Sequence, residues 1–199
     1  VRYPDNPREV SPNFLDQLDN EPGVWIGSEK LCGRRRLVHF DGSLVTLQAK
    51  HKAEGMDVPT HLKAVLLCEW AEKMPVKGIT LDCEWVGNST DGALDPGEHR
   101  IIAFDILRWN GEWLDGVDYA DRLAMQHTIE IPWAKTYVSP DLTEAYYTQL
   151  TNPVSEGLVV RHKQQRIIML DGRCSEHPLM FKVKHHVLNR VINFVEGRE

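Results

Sequence analysis

Apolar positions in this chain recur mostly at a period of two, interrupted by short stretches at helical spacing. Val24 to Glu29 reads as a strand. Arg34 to Phe40 and Leu44 to Lys50 read as two more, joined across Asp41-Gly42, a dipeptide suited to a hairpin turn. Gly78 to Val86, Ile101 to Leu107, Gly157 to His162, Arg166 to Leu170 and Leu179 to Lys184 complete the predicted strands, with a tight turn at Asn110-Gly111. Helices are predicted where the period changes. Ser11-Pro12 precedes NFLDQLD as an N-cap and first-turn proline, and Ser139-Pro140 repeats that signature before a helix ending near Leu150. A third helix opens at Pro59-Thr60, with Leu62, Val65, Leu66 and Trp70 on one face, and a fourth runs from Tyr119 to His127. Strands dominate and helices fall irregularly between them, which predicts an α+β domain of mostly antiparallel sheets rather than a doubly wound parallel one.

Composition narrows the class. The chain has 199 residues, 42% of them hydrophobic and 26% charged, enough for one domain with a sizeable core, and we expect a single domain over residues 1–199. No apolar run reaches the ~18–20 residues that span a bilayer, and the start VRYPDNPREV has no apolar signal region. A formal charge of −6 disfavours a protein that coats nucleic acid but leaves room for a local basic groove. The four cysteines form no C-x-x-C pair, so a zinc ribbon and a thioredoxin motif are excluded and a reducing, intracellular setting is expected. The sequon at Asn88-Ser89-Thr90 is then a chance match. A P-loop, a dinucleotide-binding G-x-G-x-x-G, an H-E-x-x-H and a G-x-S-x-G are all missing.

Five segments carry the candidate chemistry: Glu29-Lys30-Leu31-Cys32-Gly33-Arg34-Arg35, Leu81-Asp82-Cys83-Glu84-Trp85, Ala103-Phe104-Asp105-Ile106-Leu107, Ser155-Glu156-Gly157-Leu158-Val159-Val160 and Phe181-Lys182-Val183-Lys184. A lysine amine can act as a covalent nucleophile once its proton is removed. Free lysine titrates near ~10.4, and nearby cations lower that value. Lys182 and Lys184 alternate with Val183, so on a strand both face one way, an arrangement suited to a phosphate. Glu84 and Glu156 sit among apolar strand residues or beside glycine, where carboxylates are costly unless paired or bound to a cation. Oxygen ligands completed by substrate phosphates are the usual surroundings of Mg²⁺.

In this order the segments resemble the motifs of the covalent nucleotidyltransferases: ATP-dependent DNA ligases, RNA ligases and mRNA capping enzymes. That pattern runs K-x-D-G-x-R, an acidic D-G-E strand, F-D-I-L, E-G-L-V-V and K-x-K, and the likeness spans about residues 24 to 184. It implies two antiparallel β-sheets with flanking helices and ATP in the groove between them. It implies Lys30 as the nucleophile forming a lysyl-AMP adduct. Glu29, Arg35, Lys50, Glu84, Phe104, Val159, Lys182 and Lys184 would contact the nucleotide, with Phe104 and Val159 on the two faces of adenine. Glu84 and Glu156 would hold Mg²⁺ or Mn²⁺. The implied activity is ATP-dependent joining of 5′-phosphate and 3′-hydroxyl ends of DNA or RNA. A capping-type guanylyltransferase, marked by a preference for GTP, and a non-catalytic nucleotide-binding relative are the alternatives.

The chain departs from the pattern at Cys32, where Asp is usual, and at Cys83, where Gly is usual. A thiol nucleophile at either position is a rival reading. Only 15 residues follow Lys184, too few for the OB-fold that follows this motif in DNA ligases and capping enzymes. A nucleotidyltransferase domain without an OB-fold is therefore expected, with nucleic acid as partner and a separate domain or protein as a possible clamp. The lack of that fold leans toward RNA. The G-x-R and F-D-I-L segments lean toward DNA. His185-His186 is read as a core or solvated pair rather than a site.

Overall fold

Alternation of side chains along extended strands builds two five-stranded sheets whose inner faces confront each other across a groove. The structure is a computed structural model that describes residues 2–42, 44–49, 69–86, 100–152, 154–171 and 176–185. The strands are β1 (Arg2–Pro4), β2 (Asn6–Glu9), β3 (Trp25–Leu31), β4 (Gly33–Asp41), β5 (Leu44–Ala49), β6 (Ile79–Val86), β7 (Arg100–Trp109), β8 (Glu112–Trp113), β9 (Thr136–Val138), β10 (Ser155–His162), β11 (Met169–Asp171) and β12 (Glu176–Lys184). Sheet I has the order β2-β12-β10-β3-β9 and sheet II the order β5-β4-β6-β7-β8, while β1 and β11 form a small ribbon. The described ladders are antiparallel except β2–β12, which is parallel. The expected α+β class and paired sheets are present. The mostly antiparallel pairing expected is likewise present, with the edge pair β2–β12 as its parallel exception.

Helices α1 (Phe14–Asp19) and α3 (Leu142–Thr148) cover the outside of sheet I, and α2 (Tyr119–Gln126) packs against β7. The outer face of sheet I packs Leu158, Val160, Phe181 and Val183 against Leu15 and Leu18 of α1 and Leu142, Ala145 and Tyr146 of α3. Sheet II buries Val38, Phe40, Ile79, Leu81, Cys83, Ile101, Ala103 and Ile106 in a second cluster with Trp70. The remaining alternate positions, odd on β4 and even on β3, β6 and β12, are left to face the groove.

The two Ser-Pro signatures do not cap helices as expected. Helix α1 begins two residues after Pro12, with the Ser11 and Pro12 carbonyls accepting from the Phe14 and Leu15 amides in a preceding turn. Ser139 hydroxyl instead donates to the Glu21 carbonyl, and the α3 amides of Leu142 and Thr143 donate to the Asp19 carboxylate at 3.0 and 2.9 Å. An acidic side chain arriving from the end of another helix does the capping, which local sequence cannot reveal. The predicted helix from Pro59, the loop from Gly87 to His99, and Lys50, Cys68, Cys174 and His186 lie outside the described residues, although Trp70 and a helical turn at Ala71–Lys73 follow where that helix was expected. Among the described residues no helix is long and apolar enough to cross a membrane.

Candidate active site

Three rows of side chains run across the inner face of sheet I. The ladder places Gly157 opposite both Lys30 and Lys184, then Val159 opposite Ser28 and Lys182, then Arg161 opposite Ile26 and Met180. Rows on one face are two residues, about 7 Å, apart. Lysines therefore gather at one end of the face and an arginine lies at the other. Sheet II supplies the facing wall with Gly33, Arg35, Glu84 and Phe104, and the N-terminal segment closes a side with Asp5, Asn6 and Pro7. The pocket between these walls is about 270 Å³, near the lower bound of small-molecule sites.

Lys30 is ion-paired with Glu156. A β-bulge creates that contact. Ser155 pairs with Leu31 and Gly157 with Lys30, so Glu156 is the extra residue and is turned toward the lysine. Gly157 makes the bulge possible. Its φ is +131°, and a Cβ there would lie 1.9 Å from the Val183 carbonyl oxygen. Gly33, three residues after the lysine, meets a similar limit, because a Cβ would lie 2.4 Å from the Trp85 carbonyl oxygen on the strand carrying Glu84.

Glu84 is directly opposite Arg35 in the β4–β6 ladder. Burial raises its carboxyl from 4.5 to about 8, with Lys30 and Arg35 pulling down and Asp82 and Glu156 pushing up. A buried carboxyl held neutral beside a second carboxylate is a place that a cation would stabilise. Glu84 and Glu156 thus fit a divalent metal. No cluster of three His, Cys, Asp or Glu ligands occurs among the described residues, so such an ion would complete its shell with phosphate and water oxygens, as Mg²⁺ commonly does.

Arg35 forms a two-pronged ion pair with Asp82, Nε to Oδ1 at 2.8 Å. Its guanidinium lies 5.5 Å from the Tyr3 ring and 5.7 Å from the Phe104 ring. Arg35, expected to contact the nucleotide, is here held by Asp82 and braces Phe104 at the pocket wall. Burial pushes the Asp82 carboxyl up, against the pull of Arg35.

The pocket borders Glu29, Lys30, Arg35, Glu84, Phe104, Glu156, Val159, Lys182 and Lys184, every predicted site residue that is described. Glu29 differs in direction. Alternation along β3 turns its side chain away from that of Lys30, and its carboxylate accepts from the Asn152 amide behind the strand. Burial raises the Glu29 carboxyl, with Lys135 opposing. Lys50 is not among the described residues. Cys83 faces the core of sheet II, and burial pushes its thiol well up, so it is no nucleophile. His185 is buried, edge-on to Tyr146 at 4.6 Å, as a core histidine.

Sequence reasoning missed Arg161, Asp82 and the N-terminal segment. Arg161 is 5% exposed, and its Nη1 donates to Ser28 Oγ at 3.3 Å and Tyr119 Oη at 3.2 Å. Arg161 follows Val159 by two residues and Asp82 precedes Glu84 by two, so strand periodicity was a usable signal for both. Nothing in the polar run from Tyr3 to Glu9 marked it as a pocket wall.

Solved structures share this fold. Mycobacterial DNA ligase D complexed with ATP superposes with a TM-score of 0.66 at 19% identity, over 92% of this chain and 60% of that one. An archaeal ATP-dependent RNA ligase gives 0.57 at 14%, over 92% and 48%. The ATP-dependent DNA ligase of bacteriophage T7, in complex with ATP, gives 0.54 at 17%, over 91% and 68%. The chain therefore spans about three fifths of the mycobacterial protein that it resembles. No curated protein matches its sequence. The RNA ligase family matches residues 23–184, which contain all five motifs and most of both sheets, and the chain belongs to that family.

Proposed function

We propose that this chain is the catalytic core of an ATP-dependent polynucleotide ligase acting through a lysyl-AMP intermediate on Lys30. The observation that carries this reading is the convergence of Lys30, Glu156, Glu84, Lys182 and Lys184 on one pocket. Lys30 amine attacks the α-phosphorus of ATP. A nitrogen–phosphorus bond forms, the bond to pyrophosphate breaks, and the ammonium proton leaves along the contact to Glu156. Lys184, in the same row as Lys30, and Lys182, in the next row of the same face, neutralise charge that builds on the phosphate oxygens. Phe104 and Val159, from opposite walls, hold the base so that the reacting atoms meet. A divalent cation at Glu84 and Glu156 would supply further charge neutralisation when bound. AMP then passes to a 5′-phosphate, and attack by a 3′-hydroxyl seals the strand and releases AMP. The substrate in this reading is nicked or broken DNA or RNA inside the cell, with a further domain or protein as clamp.

The test is incubation with ATP and Mg²⁺ followed by peptide mass spectrometry. One AMP on Lys30, absent in Lys30→Ala, is expected. No adduct, together with failure to join pre-adenylylated strands, would leave a nucleotide-binding relative as the better reading. Joining of nicked DNA against nicked RNA then settles the substrate.

A further inference from the structure

The lysine pair is occupied from within. Glu9 Oε2 lies 3.4 Å from Lys182 Nζ and 3.6 Å from Lys184 Nζ, so one carboxylate oxygen serves both ammonium groups. The backbone builds this contact. Strand β2 joins β12 in the parallel ladder with Glu9 in register with Lys182, and the next amide, Val10 N–H, donates to the Lys182 carbonyl at 3.0 Å. Glu9 is thereby fixed at the mouth of the pocket, with its side chain 41% exposed and able to swing into water. Two ammonium groups aimed into one pocket repel each other, and a carboxylate between them relieves that. A phosphate bridging the same two groups needs the same space and brings like charge to Glu9.

We infer that Glu9 is a resident counter-anion of the Lys182–Lys184 pair, displaced by nucleotide phosphate, and that it sets the protein's affinity for phosphate-bearing ligands. The inference rests on the nucleotide-site reading above and adds a residue that the five motifs do not contain. The carboxylate offsets the charge of both lysines until a phosphate takes its place. On binding, the lysines exchange it for phosphate oxygens. On release of pyrophosphate or AMP it returns, which lowers the cost of letting those anions go. Each binding event therefore includes the loss of both Glu9–lysine contacts, and the cost depends on the charge and reach of residue 9.

The experiment is calorimetric titration of the full chain and its Glu9→Gln variant with ATP, AMP and adenosine, at low salt and without divalent metal. Glutamine keeps the size and exposure of Glu9 and removes the charge. About tenfold tighter ATP binding and a smaller gain for AMP are expected, with adenosine unchanged because it lacks phosphate. Glu9→Asp, one methylene shorter, should fall between. Equal or weaker ATP binding by Glu9→Gln overturns the inference, and so does an equal gain for adenosine, which would mark a general change of shape. If the wild type binds none of the three ligands either without or with Mg²⁺, the nucleotide-site reading fails first and the inference with it. A thermal melt of each variant confirms that folded proteins are compared.

Discussion

Replacing Glu84 with glutamine should stabilise the protein, and the pH dependence of that gain can be worked from the pocket. The Glu84 carboxyl has a folded value of about 8 against 4.5 for an unburied one, with burial the leading cause. Its folded value lies above its unfolded value, so folding favours the neutral form. The associated stability is whole below pH ~4.5 and is lost as pH rises through about 8. Each pH unit in that window carries about 1.4 kcal/mol, giving about 3 kcal/mol by pH 7 and an upper bound near 5 above pH 8. Water reaching the open pocket screens part of this, leaving about 2–3 kcal/mol at pH 8. The amide of the Glu84→Gln variant carries no charge at any of these pH values. The difference in unfolding free energy between Glu84→Gln and wild type should therefore be near zero at pH 4.5 and grow toward pH 8. Urea unfolding of both proteins across this range, with a chelator present, measures it, and other titrating groups cancel in the difference. A gap that stays within ~0.5 kcal/mol across the range, the spread of ordinary surface substitutions, would refute the argument that burial holds this carboxyl neutral.

Three further outcomes are expected. Asp82→Ala strands the Arg35 guanidinium and should cost about 3–5 kcal/mol in urea unfolding, with weaker ATP binding because Phe104 loses its brace. Gly157→Ala forces a Cβ onto the Val183 carbonyl and should cost about 3 kcal/mol or more in thermal unfolding. Phe104→Ala should weaken ATP binding about tenfold through lost stacking, read by fluorescence or calorimetry, while Phe104→Tyr retains it.

Much of the site was legible because strand periodicity carries it. Lys182 and Lys184, Val159 and Glu84 each face the groove because their neighbours Val183, Leu158, Cys83 and Trp85 are drawn into hydrophobic cores. The same alternation, applied one step further, would have found Asp82 and Arg161. It also turns the Glu29 side chain away from that of Lys30, since neighbours on an extended strand face opposite ways, although Glu29 still borders the pocket. The N-terminal wall was not legible. Asn6–Glu9 contains a proline among polar and charged residues, without the alternation of a half-buried strand, and its ladder partner β12 lies about 170 residues away in sequence. Such pairings are set by tertiary fit. The helix caps failed for a related reason, because Asp19 reaches α3 across a long chain separation.

Charge in the pocket is satisfied internally, and this sets how ligands must enter. Lys30 is paired with Glu156, the Lys182–Lys184 pair with Glu9, and Arg35 with Asp82, while Glu84 is held neutral by burial. A triphosphate arriving alone would draw the lysines off their carboxylates and leave Glu156 facing more negative charge. A divalent cation arriving alone would have to ionise Glu84 and pull Glu156 from Lys30. Arriving together, each supplies the partner that the other displaces. ATP and metal should therefore bind with positive coupling, and linkage requires that each raise the other's affinity by the same factor, about tenfold or more for a coupling above ~1.4 kcal/mol. Titrating ATP with and without Mg²⁺, and Mg²⁺ with and without ATP, closes the cycle once their association in free solution is subtracted. Additive binding in that cycle would mean the carboxylates and the lysines do not exchange partners, and the shared pocket would then be two independent sites.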